Sequence, residues 1–159
     1  MLDSDALSTY LTDHLAGAEA ALGLLDRLGS DPRDELDPQA LQREIEADRD
    51  VLAGVLEALG SGPSGLKRAA GWVAEKLARP KLPLDDPLGR FEALELLSLG
   101  ILGKRALWRA LATCADADGR LARFDLTDLA ARAEAQHAAV ERARLAWARR
   151  AFTGGSHAA

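Results

Sequence analysis

Two of the three Asp-Pro pairs, Asp37-Pro38 and Asp86-Pro87, constrain this chain more than any other feature, while Asp31-Pro32 falls in the tight connection SDPRDEL. An aspartate caps free helix amides, and a proline in the first turn loses no hydrogen bond there, so Asp37-Pro38 and Asp86-Pro87 each mark the start of a helix. Glycines mark the ends. The first helix begins after Asp3 or Ser4 and stops at Gly29, because glycine accepts the left-handed exit; Gly60 closes the second. That second helix, about 22 residues, is ~33 Å long. The third runs from Asp86-Pro87 to Cys114, and the fourth follows ADADGR through Leu126 to Phe152.

The connection between the second and third helices is unlike the other two. SGPSG breaks the chain, then Leu66, Ala70, Val73 and Leu77 fall on one side of a short helix. KLPLDDP must be extended, since proline disfavours helix at itself and just before. The short helix covers ~18 Å, and the extended residues add ~23 Å. Together they can run the full length of a long helix, which permits a crossover with helices two and three parallel, while the short connections make antiparallel pairs. With no convincing strand, the expected class is all-α: a four-helix bundle with a short extra helix in its crossover. The 159-residue chain, 48% hydrophobic, fits one bundle domain over residues 1–153, with 154–159 as a flexible tail.

Bulk charge removes several classes of function. A net charge of -5 argues against nucleic-acid binding, which needs a basic surface to displace counterions. No window approaches the ~18 uninterrupted apolar residues of a transmembrane segment. MLDSDALSTY is acidic and lacks the basic-then-apolar order of a signal peptide. Cys114, the only cysteine, has no internal disulfide partner, and a cytoplasmic location is expected. A homodimer through an exposed bundle face is compatible with the sequence, although no feature locates it.

The apolar seams of the helices are interrupted by ionisable residues. Leu7, Leu11, Ala18, Ala21 and Leu25 follow a helical 4-3 spacing in which the missing place is His14. In the second helix Leu41, Ile45, Leu52, Val55 and Leu59 leave the gap at Asp48. In the fourth, Leu126, Ala130, Ala133, Val140 and Trp147 leave it at His137. The third is apolar nearly all round and is expected to be the most buried, yet it carries Glu92 and Glu95 in register with Leu88, Leu99, Leu102 and Ala106. Separate burial of each group would be costly, so a shared polar layer is the economical arrangement. If a metal is present, His14 and His137 supply nitrogens and Asp48, Glu92, Glu95 and Glu134 supply oxygens, a mixture suited to Fe, Mn or Zn. Glu134 and His137, three residues apart, project side by side and can address one ion.

At this point the chain resembles the ferritin-like superfamily, through two antiparallel helix pairs, a long crossover and Glu134-x-x-His137 on the last helix. The resemblance implies iron or manganese held by a Glu from each of two helices and Glu-x-x-His from each of the others. The fourth helix matches that pattern, and the third does so through Glu95, or Glu92 one turn away. The second has no histidine after Glu44, and the first offers His14 where a carboxylate belongs. Two functions follow as expectations: a transition-metal bundle with redox chemistry and an unknown small-molecule substrate, or a non-enzymatic structural or interaction bundle with a metal-free His/carboxylate hydrogen-bond network.

The remaining motifs read as structural. DADGRL matches a calcium loop only at Asp116, Asp118 and Gly119 and lacks the distal Glu. Lys67, Arg68, Lys76, Arg79 and Lys81 make the crossover locally basic, as a solvated face usually is. Gly100 and Gly103 allow close helix approach, while Trp72, Trp108 and Trp147 serve as packing anchors and Tyr10 as ordinary packing one turn before His14.

Overall fold

Four aspartates start four helices. The computed structural model describes residues 3–60 and 83–153. It contains α1 (Ser4–Leu28), α2 (Pro38–Ala58), α3 (Pro87–Cys114), a single 3-10 turn (Ala115–Ala117) and α4 (Leu126–Phe152), with no strand among the described residues. The carboxylates of Asp3, Asp37, Asp86 and Asp125 each accept backbone amides of the helix that follows, and proline occupies the first turn of α2 and α3. At the far ends of α1 and α2, Gly29 and Gly60 take positive φ angles of 57° and 81°. No described helix is long and apolar enough to cross a membrane.

Cross-helix contacts set the chain directions. Arg90, at the start of α3, donates to the carbonyls of Leu28 and Gly29 at the end of α1 (2.9 and 3.3 Å), so these helices run antiparallel. Helices α3 and α4 are antiparallel as well, since Glu95 meets Arg144 and Ser98 meets Glu141 while Arg105 meets Glu134. Near the end of α2, Arg123 reaches the Gly54 carbonyl just ahead of α4, while Gln136 meets Asp48 further back. Helices α2 and α3 are therefore parallel, as expected for a crossover. Gly60 and Pro83 lie at opposite ends of the bundle. The expected short helix at Leu66–Leu77, the basic residues around it, Trp72 and the 154–159 tail lie outside the described residues.

The interior is continuous through all four helices, with Leu11, Leu25, Val55, Leu94, Leu107, Trp108, Val140 and Trp147 almost fully buried. In α2 the seam is as the spacing predicts: Leu41, Ile45, Asp48, Leu52, Val55 and Leu59 are all buried. Elsewhere it is rotated. Leu15 and Leu22 are buried in α1, whereas Leu7, Ala18 and Ala21 lie at the margin with His14. In α4 the buried row is Leu126, Leu129, Ala133, Gln136, Val140, Ala143 and Trp147, which puts Gln136 inside and His137 at the edge. Helix α3 differs from expectation too: Glu92, Glu95, Leu88, Leu99 and Ala106 do share a face, but it is the exposed one, with Leu99 60% accessible. A helix rich in leucine can have more apolar residues than its core face can accept, and single exposed leucines are common on folded proteins.

Candidate functional site

A polar layer exists, and Asp48 is its centre. Its position in the α2 seam leaves the side chain 1% exposed, a burial that an ionised carboxylate tolerates only with charged or donating partners. Lys104 of α3 donates to Oδ2 at 2.6 Å, Gln136 of α4 donates to the same oxygen at 3.2 Å, and Arg132 of α4 donates to Oδ1. The Gln136 carbonyl in turn accepts from the Lys104 ammonium. Asp48, Lys104 and Gln136 thus form a closed triangle across three helices, in which the amide gives one bond and takes another. Burial pulls the Lys104 pKa below its ordinary value, and the facing Asp48 carboxylate opposes that shift.

The other sequence-selected residues do not join this layer. His14 is half-buried on α1, edge-on to Tyr10 with ring centroids 4.7 Å apart. Desolvation lowers its pKa, with Asp13 acting weakly in the opposite sense. His137 is half-buried on α4, and the nearby Glu134 and Glu141 have their pKa values lowered chiefly by hydrogen bonds from Arg105 and Arg144. Glu134 is exposed and pairs with Arg105; Glu95 is exposed and pairs with Arg144 at 3.1 Å; Glu92 faces solvent. Among the described residues no group of three or more His, Cys, Asp or Glu side chains is placed to hold a metal ion. The physical reason is that lysine and arginine already take up the carboxylates, and both histidines lie one position away from the buried row. This donor set does not fit a shared iron or manganese ion.

A second polar cluster was not anticipated from the sequence. Asp34, in the connection between α1 and α2, has a side chain 0% exposed and accepts from Arg90 Nε at 3.1 Å, from Arg90 Nη2 and from Trp147 Nε1. The guanidinium groups of Arg33, Arg90 and Arg150 lie 4.7 to 5.3 Å from the Trp147 ring centroid, within cation–π range. The available signal was Trp147: a buried indole N–H needs an acceptor.

Beside the Asp48 layer, α1, α2 and α3 enclose a cleft of ≈340 Å³. His14 and Tyr10 stand on one wall and Asp48 and Arg49 on another, while Gly100, Lys104 and Trp108 recur along the third at helical spacing. Compared with protein-family models, curated proteins and solved structures, the chain has no match.

Proposed function

We propose that the chain is a non-enzymatic helical bundle of ferritin-like chain path whose polar layer is architectural and metal-free. The chain path is supported by the parallel arrangement of α2 and α3, which a bundle with one long crossover requires. The observation that carries the functional reading is the saturation of Asp48: Lys104, Arg132 and Gln136 already surround its carboxylate. A metal at this carboxylate would have to displace an ammonium and a guanidinium. The network differs in composition from the one expected, using lysine, arginine and glutamine in place of histidine. Such a layer fixes helix register, because any slip by one turn leaves Asp48 and Lys104 buried without each other.

Elemental analysis of protein purified without a metal-binding tag, before and after exposure to Fe(II) or Mn(II), tests this reading. It predicts about a tenth of an equivalent or less bound. Stoichiometric uptake abolished by His137→Ala, with the helical circular-dichroism spectrum retained, would overturn it in favour of an iron or manganese centre.

A further inference from the structure

The cleft between α1, α2 and α3 carries one charge that the fold leaves unbalanced. Among the acidic and basic side chains that line it, Lys104 is met by Asp48, and Arg49 by Glu19 and Asp50. Asp13, exposed on α1, has no hydrogen bond or salt bridge from its carboxylate among the described residues. The adjacent His14 does not supply the missing counter-charge. Desolvation lowers its pKa below 6.5 although Asp13 opposes that shift, so the imidazole is neutral at physiological pH.

Glycines keep the α1–α3 side of the cleft open. Gly17 and Gly100 are exposed, and a Cβ at either meets nothing within 4 Å; at Gly103 a Cβ meets only His14 Cε1, at 3.9 Å. Tyr10, 39% exposed and one turn before Asp13, brings an aromatic ring to the same side of α1. Ala18, Ala21, Ile45, Leu52, Ile101 and Leu107 form apolar walls, and the volume lies within the range of small-molecule pockets. We propose that this cleft binds a small organic amine in its protonated form, with the ammonium at the Asp13 carboxylate beside the Tyr10 ring and an apolar body along the walls. Carboxylate and aromatic ring both attract a cation. An anionic ligand would face Asp13 with like charge, while Arg49 and Lys104 are already taken up by carboxylates of the chain. An uncharged molecule of the same shape gains the walls alone.

Phenethylamine, protonated at neutral pH, serves as the probe, with 2-phenylethanol and 3-phenylpropanoate as uncharged and anionic controls of similar size. In ¹⁵N-labelled protein the amine should move the backbone amide signals of Asp13, Gly17, Gly100 and Gly103 saturably. Because Asp13 is open to water its ion pair is modest, so the amine should bind about three- to fivefold more tightly than the alcohol, and the carboxylate more weakly than either. Asp13→Asn keeps the size of the side chain and should bring the amine to within about 1.5-fold of the alcohol. Gly100→Leu provides a second arm, since a Cβ there meets nothing within 4 Å and leucine favours helix, so the fold is kept while the cleft is narrowed. It should weaken amine and alcohol alike by at least about tenfold. Equal affinity for amine and alcohol, an amine preference that survives Asp13→Asn, shifts that avoid the cleft, or unchanged binding in Gly100→Leu would each overturn the proposal.

Discussion

Asp34 and Asp48 are both buried carboxylates with cationic partners from other elements, yet their settings differ. Asp34 sits at one end of the bundle and faces Arg90, 5% exposed, whose guanidinium also caps the last carbonyls of α1. Arginine cannot discharge itself inside a protein, and its planar fork satisfies a carboxylate and two carbonyls together. Asp48 sits in the middle of the bundle and faces Lys104, which can lose its proton, and Arg132, 37% exposed, which can turn into solvent. The end cluster is therefore a lock with no relaxed alternative, whereas the central layer has escape routes. Stability should depend more on the former.

Asp34→Ala gives the sharpest test, since it strands the Arg90 charge and the Trp147 N–H at once. The expected loss is about 3–5 kcal/mol in urea unfolding. Asp48→Leu should cost less, about 2–3 kcal/mol, because Arg132 regains water even though Lys104 does not. The comparison breaks if the order of these two losses is reversed. It sharpens with the triple variant Asp48→Leu, Lys104→Met, Gln136→Leu, which replaces the whole triangle by apolar groups and should return to within about 1 kcal/mol of the parent. A triple variant as unstable as Asp48→Leu alone would mean that the layer contributes net stability as well as register.

Acid sensitivity should belong to neither cluster. Desolvation lowers the His14 pKa, so the folded chain favours neutral imidazole more than the unfolded chain does. The associated stability is complete above the unfolded value of 6.5 and is lost as pH falls below it through the lowered folded pKa. Urea midpoints followed from about pH 7 down to 5 should fall in the parent and in both aspartate variants, with the slope over this interval reduced in His14→Leu. An unchanged slope in His14→Leu would assign the acid limb to other groups.

Helix starts, chain directions and Asp48 were legible because each depends on local capping or on the period of one helix. The partners of Asp48 were not. In α4 both Gln136 and His137 fall between Ala133 and Val140 at acceptable helical spacing, and only the facing helices decide which turns inward. Gln136 can donate to Asp48 and accept from Lys104 at the same time, a geometry read from three helices together. Lys104 enters the layer by its long stem, which lets a charged head cover apolar surface. In α3 the register of Glu92 and Glu95 with Leu88 and Leu99 was correct, but a helix apolar nearly all round gives no sign of which face is buried. Asp34 lies in a connection with no period at all.

The smallest predicted effect concerns one of those misplaced acids. Glu95 is 48% exposed and pairs with Arg144, while Arg144 also holds Glu141 through bonds of 2.8 and 2.7 Å. Removing the Glu95 charge therefore leaves the guanidinium paired, and water takes the vacated position. Exposed ion pairs contribute little once side-chain ordering and screening are counted, so Glu95→Gln should shift the urea-unfolding free energy by no more than about 0.5 kcal/mol. The same variant with Arg144→Ala should be nearly additive with respect to Glu95, since the two share only this one weak contact. A loss on the scale of Asp48→Leu would place Glu95 in an energetic network with the core, and the contrast between buried and solvent-facing carboxylates would then fail at its weakest member.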